Sequence, residues 1–441
     1  MHILFLTDNF PPEVNAPASR TFEHCRAWVR AGHEVTVVTC FPNFPKGKLY
    51  DGYRNRLHPQ TEMMDGIRVI RVWSYITANE GFVKRILDYV SFMVSAVAAT
   101  PIMRRPDMVI GTSPQFFTAC AAYLVSRIKG VPFVFELRDI WPESIKAVGA
   151  MKDSTVIHLL EKVEMFLYRQ AALIVSVTES FKKTLVRRGV AAEKIQVVRN
   201  GVDLTRFRSM LKDQELVARY GLEGKFVAGY IGTHGMAHAL ETLLKVAEKL
   251  QTEPTNSINR DSPLLNRALL NGDGANALPA PFPDFYFLFL GDGARKQELI
   301  VEAHRRGLDN VLFLDSVPKE EVVRYWSLLD VSIIHLRKTE LFTTVIPSKL
   351  FESMGMGIPV LLGVAGESAE IVEKEGVGLT FEPENAGALC DALLQLRDNP
   401  DLYGRIRNRC IRAAGNYDRE TQAASMLSHL NSHQESASNN K

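Results

Sequence analysis

The stretch Pro347-Ser348-Lys349-Leu350-Phe351-Glu352-Ser353-Met354-Gly355-Met356-Gly357-Ile358-Pro359-Val360-Leu361-Leu362 decides how the rest of the chain is read. Ser348 suits a helix N-cap, its hydroxyl able to accept from the first unpaired backbone N–H groups of a short helix over 349–354. Gly355 and Gly357 supply the stop, and Ile358 to Leu362 is an apolar run of strand length. A helix start beside Lys349 favours negative charge, through its free N–H groups and its macrodipole. Glu352, one turn further in, offers two acceptors to paired hydroxyls such as those of a ribose. A nucleoside diphosphate meets both demands. An ordinary αβ unit with solvated Lys349 and Glu352 accounts for the same spacing, because short motifs match often by chance.

Working outward, the residues before this stretch repeat its strand-and-helix alternation. Phe226 to Ile231 reads as a strand, and Gly232-Thr233-His234-Gly235-Met236-Ala237-His238 runs from it into a helix expected to continue to Leu250. A glycine-rich strand-to-helix turn is a phosphate-cradling geometry. Strands over 285–290, 311–315 and 331–336 alternate with helices over 294–306 and 319–329. Residues 252–283, rich in Asn, Pro, Ser, Gly and Ala without either period, predict a mobile insertion.

The first half opens in the same way. His2 to Thr7 predicts a strand, 8–19 a loop, Arg20 to Ala31 a helix, and Glu34 to Thr39 the next strand. In a doubly wound sheet the loops after the strands gather ligands, which places Asn15, Ala16 and Pro17 at the cleft. These small residues permit close approach by a ligand, and a tight turn explains them as well. Val131 to Leu137 predicts a strand that delivers Arg138-Asp139-Ile140-Trp141-Pro142-Glu143 to the same edge. Arg138 suits an anionic or hydroxylated ligand but cannot deprotonate one, and Asp139 is the better group for orienting a ligand hydroxyl. A salt bridge from Arg138 to a neighbouring carboxylate is the structural alternative.

At 441 residues two domains are expected, over 1–206 and 207–400, with helices over 401–441 crossing back before a polar tail. Residues 1–206 carry 27 Lys and Arg against 19 Asp and Glu, whereas the remainder carries 25 against 31. A basic half beside an acidic half points to an anionic membrane surface or a phosphorylated substrate. No aromatic-interleaved basic module suggests nucleic acid. Ile86 to Met103 holds a single charge, Asp88, between Lys84-Arg85 and Arg104-Arg105, which fits a helix on a membrane surface or a core helix better than a bilayer span. The five cysteines lack disulfide or zinc spacing, no D-x-D triplet offers metal ligands, and the first residues lack a basic leader. A cytoplasmic chain at the inner face of the membrane, without metal or cofactor, is expected.

The Pro347 to Leu362 segment, together with Thr7-Asp8-Asn9-Phe10-Pro11-Pro12-Glu13 and Arg138-Asp139-Ile140-Trp141-Pro142-Glu143, resembles glycosyltransferases of the GT4 type, and among them WbuB-like bacterial surface-polysaccharide enzymes. The resemblance implies two Rossmann-like α/β domains facing across a cleft (GT-B) and transfer with retention. It implies a UDP-sugar as donor, with N-acetyl-L-fucosamine or another 6-deoxy or N-acetylated hexose moving to a polyprenyl-diphosphate-linked acceptor in O-antigen or capsule synthesis. It places Gly232, Thr233, Gly235, His238, Ser348, Lys349 and Glu352 at the donor, and Leu314 and Asp315 at the nucleotide base. Glu352 matches the second acid of the family's E-x7-E pattern, but Thr344 holds the place of the first. Thr233 and His238 stand where relatives place Arg and Lys, so partial protonation of His238 is an expected pH handle. A sugar-nucleotide 2-epimerase of the same fold and a non-catalytic nucleotide-sugar binder are the alternatives.

Overall fold

The computed structural model describes residues 1–13, 15–44, 47–77, 82–140, 155–252 and 284–439. Trp141-Pro142-Glu143 and nearly all of the 252–283 insertion lie outside them. The chain forms two compact units, one of residues 1–201 and 417–441 and one of residues 202–416. The sequence reading placed these passages near 206 and 400.

The first unit runs β1 (His2–Leu6), α1 (Ala16–Arg30), β2 (Glu34–Cys40), β3 (Gln60–Met64), β4 (Ile67–Val72), α2 (Phe82–Ala98), β5 (Met108–Thr112), α3 (Phe116–Lys129), β6 (Phe133–Leu137), α4 (Thr155–Gln170), β7 (Leu173–Ser176), α5 (Glu179–Arg187) and β8 (Ile195–Val197). Its strand order is β3-β4-β2-β1-β5-β6-β7-β8, parallel throughout except for β3. The sequence order reverses between β1 and β5. Ligands in such sheets collect at the carboxyl ends of the strands beside that reversal.

The second unit runs α6 (Gln214–Tyr220), β9 (Phe226–Ile231), α7 (Glu241–Thr252), β10 (Phe285–Leu290), α8 (Lys296–Arg305), β11 (Val311–Leu314), α9 (Val322–Trp326), β12 (Val331–His335), α10 (Lys349–Met356), β13 (Val360–Gly363), α11 (Glu367–Glu375), β14 (Gly378–Thr380), α12 (Ala386–Asp398) and α13 (Pro400–Ala414). All its strands are parallel in the order β11-β10-β9-β12-β13-β14. The reversal falls between β9 and β12. The last helix, α14 (Arg419–Asn439), belongs to the first unit.

Strands buried on both faces need long apolar runs, and β1, β5, β6, β9 and β12 are of that kind. One face of the first sheet is covered by α2, α3, α4 and α5 through Phe92, Phe116, Leu167 and Phe181. The other is covered by α1 and α14 through Trp28, Met426 and Leu430, with Trp28 Nε1 donating to the Ala423 carbonyl at 2.9 Å. Among the described residues no helix is long and apolar enough to cross a membrane.

Local structure departs from expectation at three places that bear on the site. The helix predicted from Arg20 begins at Ala16, because Asn15 caps it by accepting from Ala18 N at 2.8 Å and Pro17 fits its first turn. Asn15, Ala16 and Pro17 therefore start a helix and are not an open loop. The turn over Gly232 to His238 ends in a 3-10 turn at Met236–His238, broken by Ala239 at φ 44°, so the helix expected to follow it directly and run to Leu250 starts at Glu241 and runs to Thr252. Ser348 makes no side-chain cap, and α10 stops at Gly357 (φ 67°) and not at Gly355. A Cβ on Gly355 would lie 2.7 Å from the Phe207 carbonyl oxygen, so that glycine permits close packing.

Candidate donor and acceptor sites

In the second unit three glycines bring the loops after β9 and β10 together with α10. Gly232 (φ 138°) lies against the Lys349 side chain, since a Cβ there would fall 2.5 Å from Cε and 2.8 Å from Nζ. Gly291 (φ 144°) presses on Gly232, with 2.0 Å left between its would-be Cβ and the Gly232 carbonyl oxygen. Gly293 (φ 154°) presses likewise on the backbone of His234. Only glycine tolerates both the backbone angle and the space.

Lys349 Nζ sits 3.7 Å from the centre of the Tyr230 ring. Enclosure there pushes its pKa down to about 7, against the opposing pull of Glu352 one turn on. Among the described residues the backbone N–H groups of Thr233, Gly235, Ser348 and Lys349 donate to nothing. Thr233 is fixed by its carbonyl, which accepts from the Tyr230 hydroxyl at 2.7 Å. Free N–H groups beside a lysine that gains its charge when an anion arrives can hold an anion such as a diphosphate.

The histidines of this loop are neutral. Burial, then the Lys349 charge, pull His238 down to about 3, so the expected pH handle at His238 is replaced by one at Lys349. His234 is fully buried and lowered to about 4 by burial and by Lys296 and Lys349. His335, at the end of β12, holds the turn: its Nδ1 donates to the His238 carbonyl at 2.8 Å while its Nε2 accepts from Glu384 N at 2.8 Å. Leu314 and Asp315 are already engaged. Lys296 Nζ donates to the Gly291 and Leu314 carbonyls at 2.9 and 3.0 Å and pairs with Asp315. Lys296 was not singled out from sequence, since a lysine opening a helix looks like any solvated one.

In the first unit Ser113 fixes the loop after β6, its Oγ accepting from Arg138 N at 2.8 Å and Asp139 N at 3.1 Å. Asp139 is half-buried there. Among the described residues the Arg138 guanidinium makes no salt bridge. Its Nε and Nη1 are buried without a hydrogen-bond partner, and burial lowers its pKa to about 10, so it stays charged at neutral pH. Glu136 pairs with Arg20 at 3.0 Å instead. Asp8, after β1, was also missed; its carboxyl accepts from Asn9 Nδ2 at 3.1 Å and Gln115 Nε2 at 2.5 Å. Burial, Asp88 and Glu13 raise its pKa well above the usual carboxylate range. Among the described residues no group of three or more His, Cys, Asp or Glu could hold a metal ion.

Residues 15–201 match the family model for the glycosyl transferase 4-like domain, and residues 275–416 match that for glycosyl transferases group 1. The chain belongs to the GT4-type glycosyltransferases. This glycosyltransferase is 25% identical over 408 residues to WcaI of Escherichia coli (strain K12), a glycosyl transferase assigned to colanic acid biosynthesis, covering 90% of this chain and 92% of that one. It is 22% identical to a GDP-mannose-dependent alpha-mannosyltransferase of Mycobacterium tuberculosis, covering 93% and 92%. Sucrose-phosphate synthase from Thermosynechococcus elongatus shares its fold with a TM-score of 0.72 at 15% identity over 98% of both chains. Anabaena HepE, solved with UDP and glucose, does so with a TM-score of 0.67 at 16% identity over 98% and 99%. The glycosyltransferase is an enzyme of GT-B fold related to proteins of bacterial polysaccharide synthesis.

Proposed function

We propose that the enzyme moves a 6-deoxy or N-acetylated hexose, with N-acetyl-L-fucosamine as first candidate, from a UDP-sugar to a polyprenyl-diphosphate-linked saccharide, with retention and without metal. The observation that carries the donor half is the contact between Lys349 and Gly232 amid free backbone N–H groups. That HepE is solved with UDP and with UDP-glucose supports a uridine donor. The resemblance to WbuB-like enzymes supports the sugar and the acceptor. In this reading the amides of Thr233, Gly235, Ser348 and Lys349 and the Lys349 ammonium hold the diphosphate, Glu352 holds the ribose, and Asp139 orients the acceptor hydroxyl. The glycosidic bond breaks towards an oxocarbenium-like centre, and the developing charge falls on the diphosphate that the cradle already stabilises.

The test is a panel of UDP- and GDP-sugars offered with polyprenyl-diphosphate N-acetylglucosamine. Turnover with a UDP-sugar that survives chelator is expected; turnover with GDP-mannose alone would replace the donor assignment, and conversion of UDP-sugar without acceptor would make it an epimerase. Glu352→Ala should weaken UDP binding about tenfold, the worth of a charge-assisted hydrogen bond to a ribose hydroxyl. An unchanged affinity removes Glu352 from the ribose.

The acceptor lipid gives a use to the apolar surface of α2, α3 and α4. Leu87 and Val94 of α2, Leu124 and Ile128 of α3, and Leu159 and Phe166 of α4 are all at least 41% exposed, too much apolar surface for a face meant only for water. Phe166 meets Tyr123 of α3 edge-on at 5.3 Å, which makes α3 and α4 neighbours. Lys84 and Arg85 near the start of α2 can reach headgroup phosphates. Co-sedimentation with vesicles containing anionic lipid is expected, and Leu87→Asp with Val94→Asp should abolish it. Equal sedimentation of this variant would return the face to a structural role.

A further inference from the structure

The buried arginines of the first unit do not balance. Arg20, on α1, is spent on Glu136 at 3.0 Å and on the Val198 and Arg199 carbonyls at 3.2 and 3.0 Å. Arg419, on α14, pairs with Glu23. Arg138 is left over. Its Nε and Nη1 are buried and have no acceptor among the described residues; of the charges around it Glu136, whose Oε1 is bonded to Arg20, attracts it, while Arg20 and Arg419 repel it. Guanidinium N–H groups taken out of water without an acceptor are costly, so proteins keep them where something arrives to pair with them.

Two more unsatisfied groups lie within reach of the same charges. His24, on the face of α1 that carries Arg20, has both ring nitrogens buried and unpartnered, and it is held neutral by burial and by Arg20, Arg419 and Arg138. Thr21 Oγ1, on the same turn, has no partner either. The neutral His24 ring carries one donor and one acceptor nitrogen, the Thr21 hydroxyl can do either, and Glu136 Oε2 accepts. An occupant that satisfies them brings anionic oxygens for Arg138, Thr21 and the His24 N–H, and O–H groups for Glu136 and the second His24 nitrogen, as a phosphate next to sugar hydroxyls does.

We propose that Arg138, with His24 and Thr21, forms an oxyanion subsite in the first unit that takes the acceptor's charged group, a diphosphate oxygen or a sugar carboxylate. The site rests on the proposed acceptor but is read without turnover. Inorganic pyrophosphate is titrated calorimetrically into the full chain saturated with UDP, which fills the donor cradle, and methyl glucuronide is titrated in parallel. Pyrophosphate should bind wild type about tenfold more tightly than Arg138→Gln, with Arg138→Lys between them because it keeps the charge and loses the planar fork. Preference for the glucuronide would assign the subsite to a sugar carboxylate.

A merely structural arginine gives a different pattern. Without ligand, Arg138→Gln should melt close to the wild-type temperature, since the Glu136 attraction that it removes is offset by the repulsion of Arg20 and Arg419 and by the desolvation it no longer costs. A lower melting temperature together with unchanged affinity for both anions overturns the subsite. Arg138-dependent pyrophosphate binding in an enzyme inert towards every polyprenyl acceptor would keep the subsite and refute the proposed acceptor.

Discussion

Lys349→Ala should lower kcat/KM for the donor about 100- to 1000-fold, the usual effect of removing one preorganised group from a site where negative charge develops. Lys349 is held against Gly232 and the Tyr230 ring, so its ammonium is in place before the diphosphate arrives. Lys349→Arg should not rescue, because the space between Gly232 and the ring fits an ammonium and not a planar fork. The pH dependence follows from its pKa of about 7 in the free protein. Above that value binding must take up a proton, so affinity for an intact UDP-sugar, whose diphosphate does not titrate there, should fall by up to about tenfold per pH unit. Heats of binding at pH 8 should depend on the buffer's ionisation enthalpy. Stability of the free protein should move the other way. Between about 7 and the ordinary lysine value of 10.5 the unfolded chain holds more protons at Lys349 than the folded one, so this group makes stability rise with pH across that window. Lys349→Met should remove both trends, and a donor affinity flat from pH 6 to 9 in wild type would take Lys349 out of the cradle.

The alternation of apolar strands with amphipathic helices made both units legible in the sequence, because parallel strands covered on two faces demand long apolar runs. What lay beyond reach depended on residues far apart in the chain. His238 is pulled down by burial and then by Lys349, 111 positions on, and no local pattern reports either. Gly355 reads as a helix stop by type, yet it is kept small by Phe207. Other misses were readable. Asn15 with Pro17 is a helix start, and Asp65-Gly66 before β4 is a hairpin turn that foretells β3 antiparallel beside it. Of the site, the types that bind phosphate were visible at Gly232 and Lys349, whereas Lys296, Asp8 and the Arg20 and Glu136 pair became visible only when the sheets closed.

Arg20→Met should cost about 3–5 kcal/mol of stability, the range for breaking a buried ion pair from one side. Arg20 is 3% exposed and Glu136 1%. Besides the pair, Arg20 donates to the Val198 and Arg199 carbonyls and to Asn200 Oδ1 at 3.1 Å, fixing the segment through which the chain leaves the first unit. Burial alone would raise the Glu136 pKa, and Arg20 and then Arg138 outweigh it and hold the carboxyl below its usual range. In wild type this carboxylate therefore stabilises the fold above the ordinary glutamate value of 4.5 and loses that contribution as pH falls through its lower folded value. In Arg20→Met burial should win, so the deficit should be largest near pH 8 and should shrink towards pH 5, where Glu136 can take a proton. Arg138 remains to offset part of the charge, which places the expected loss towards the lower end. The double variant Arg20→Met with Glu136→Leu separates the two contributions. Replacing both members of a buried pair by apolar groups is often neutral or better, so recovery of most of the loss is expected if charge dominates. A double variant as unstable as the single one, measured by denaturant unfolding at pH 8, would assign the loss to the hydrogen bonds that tie residues 198–200 to α1.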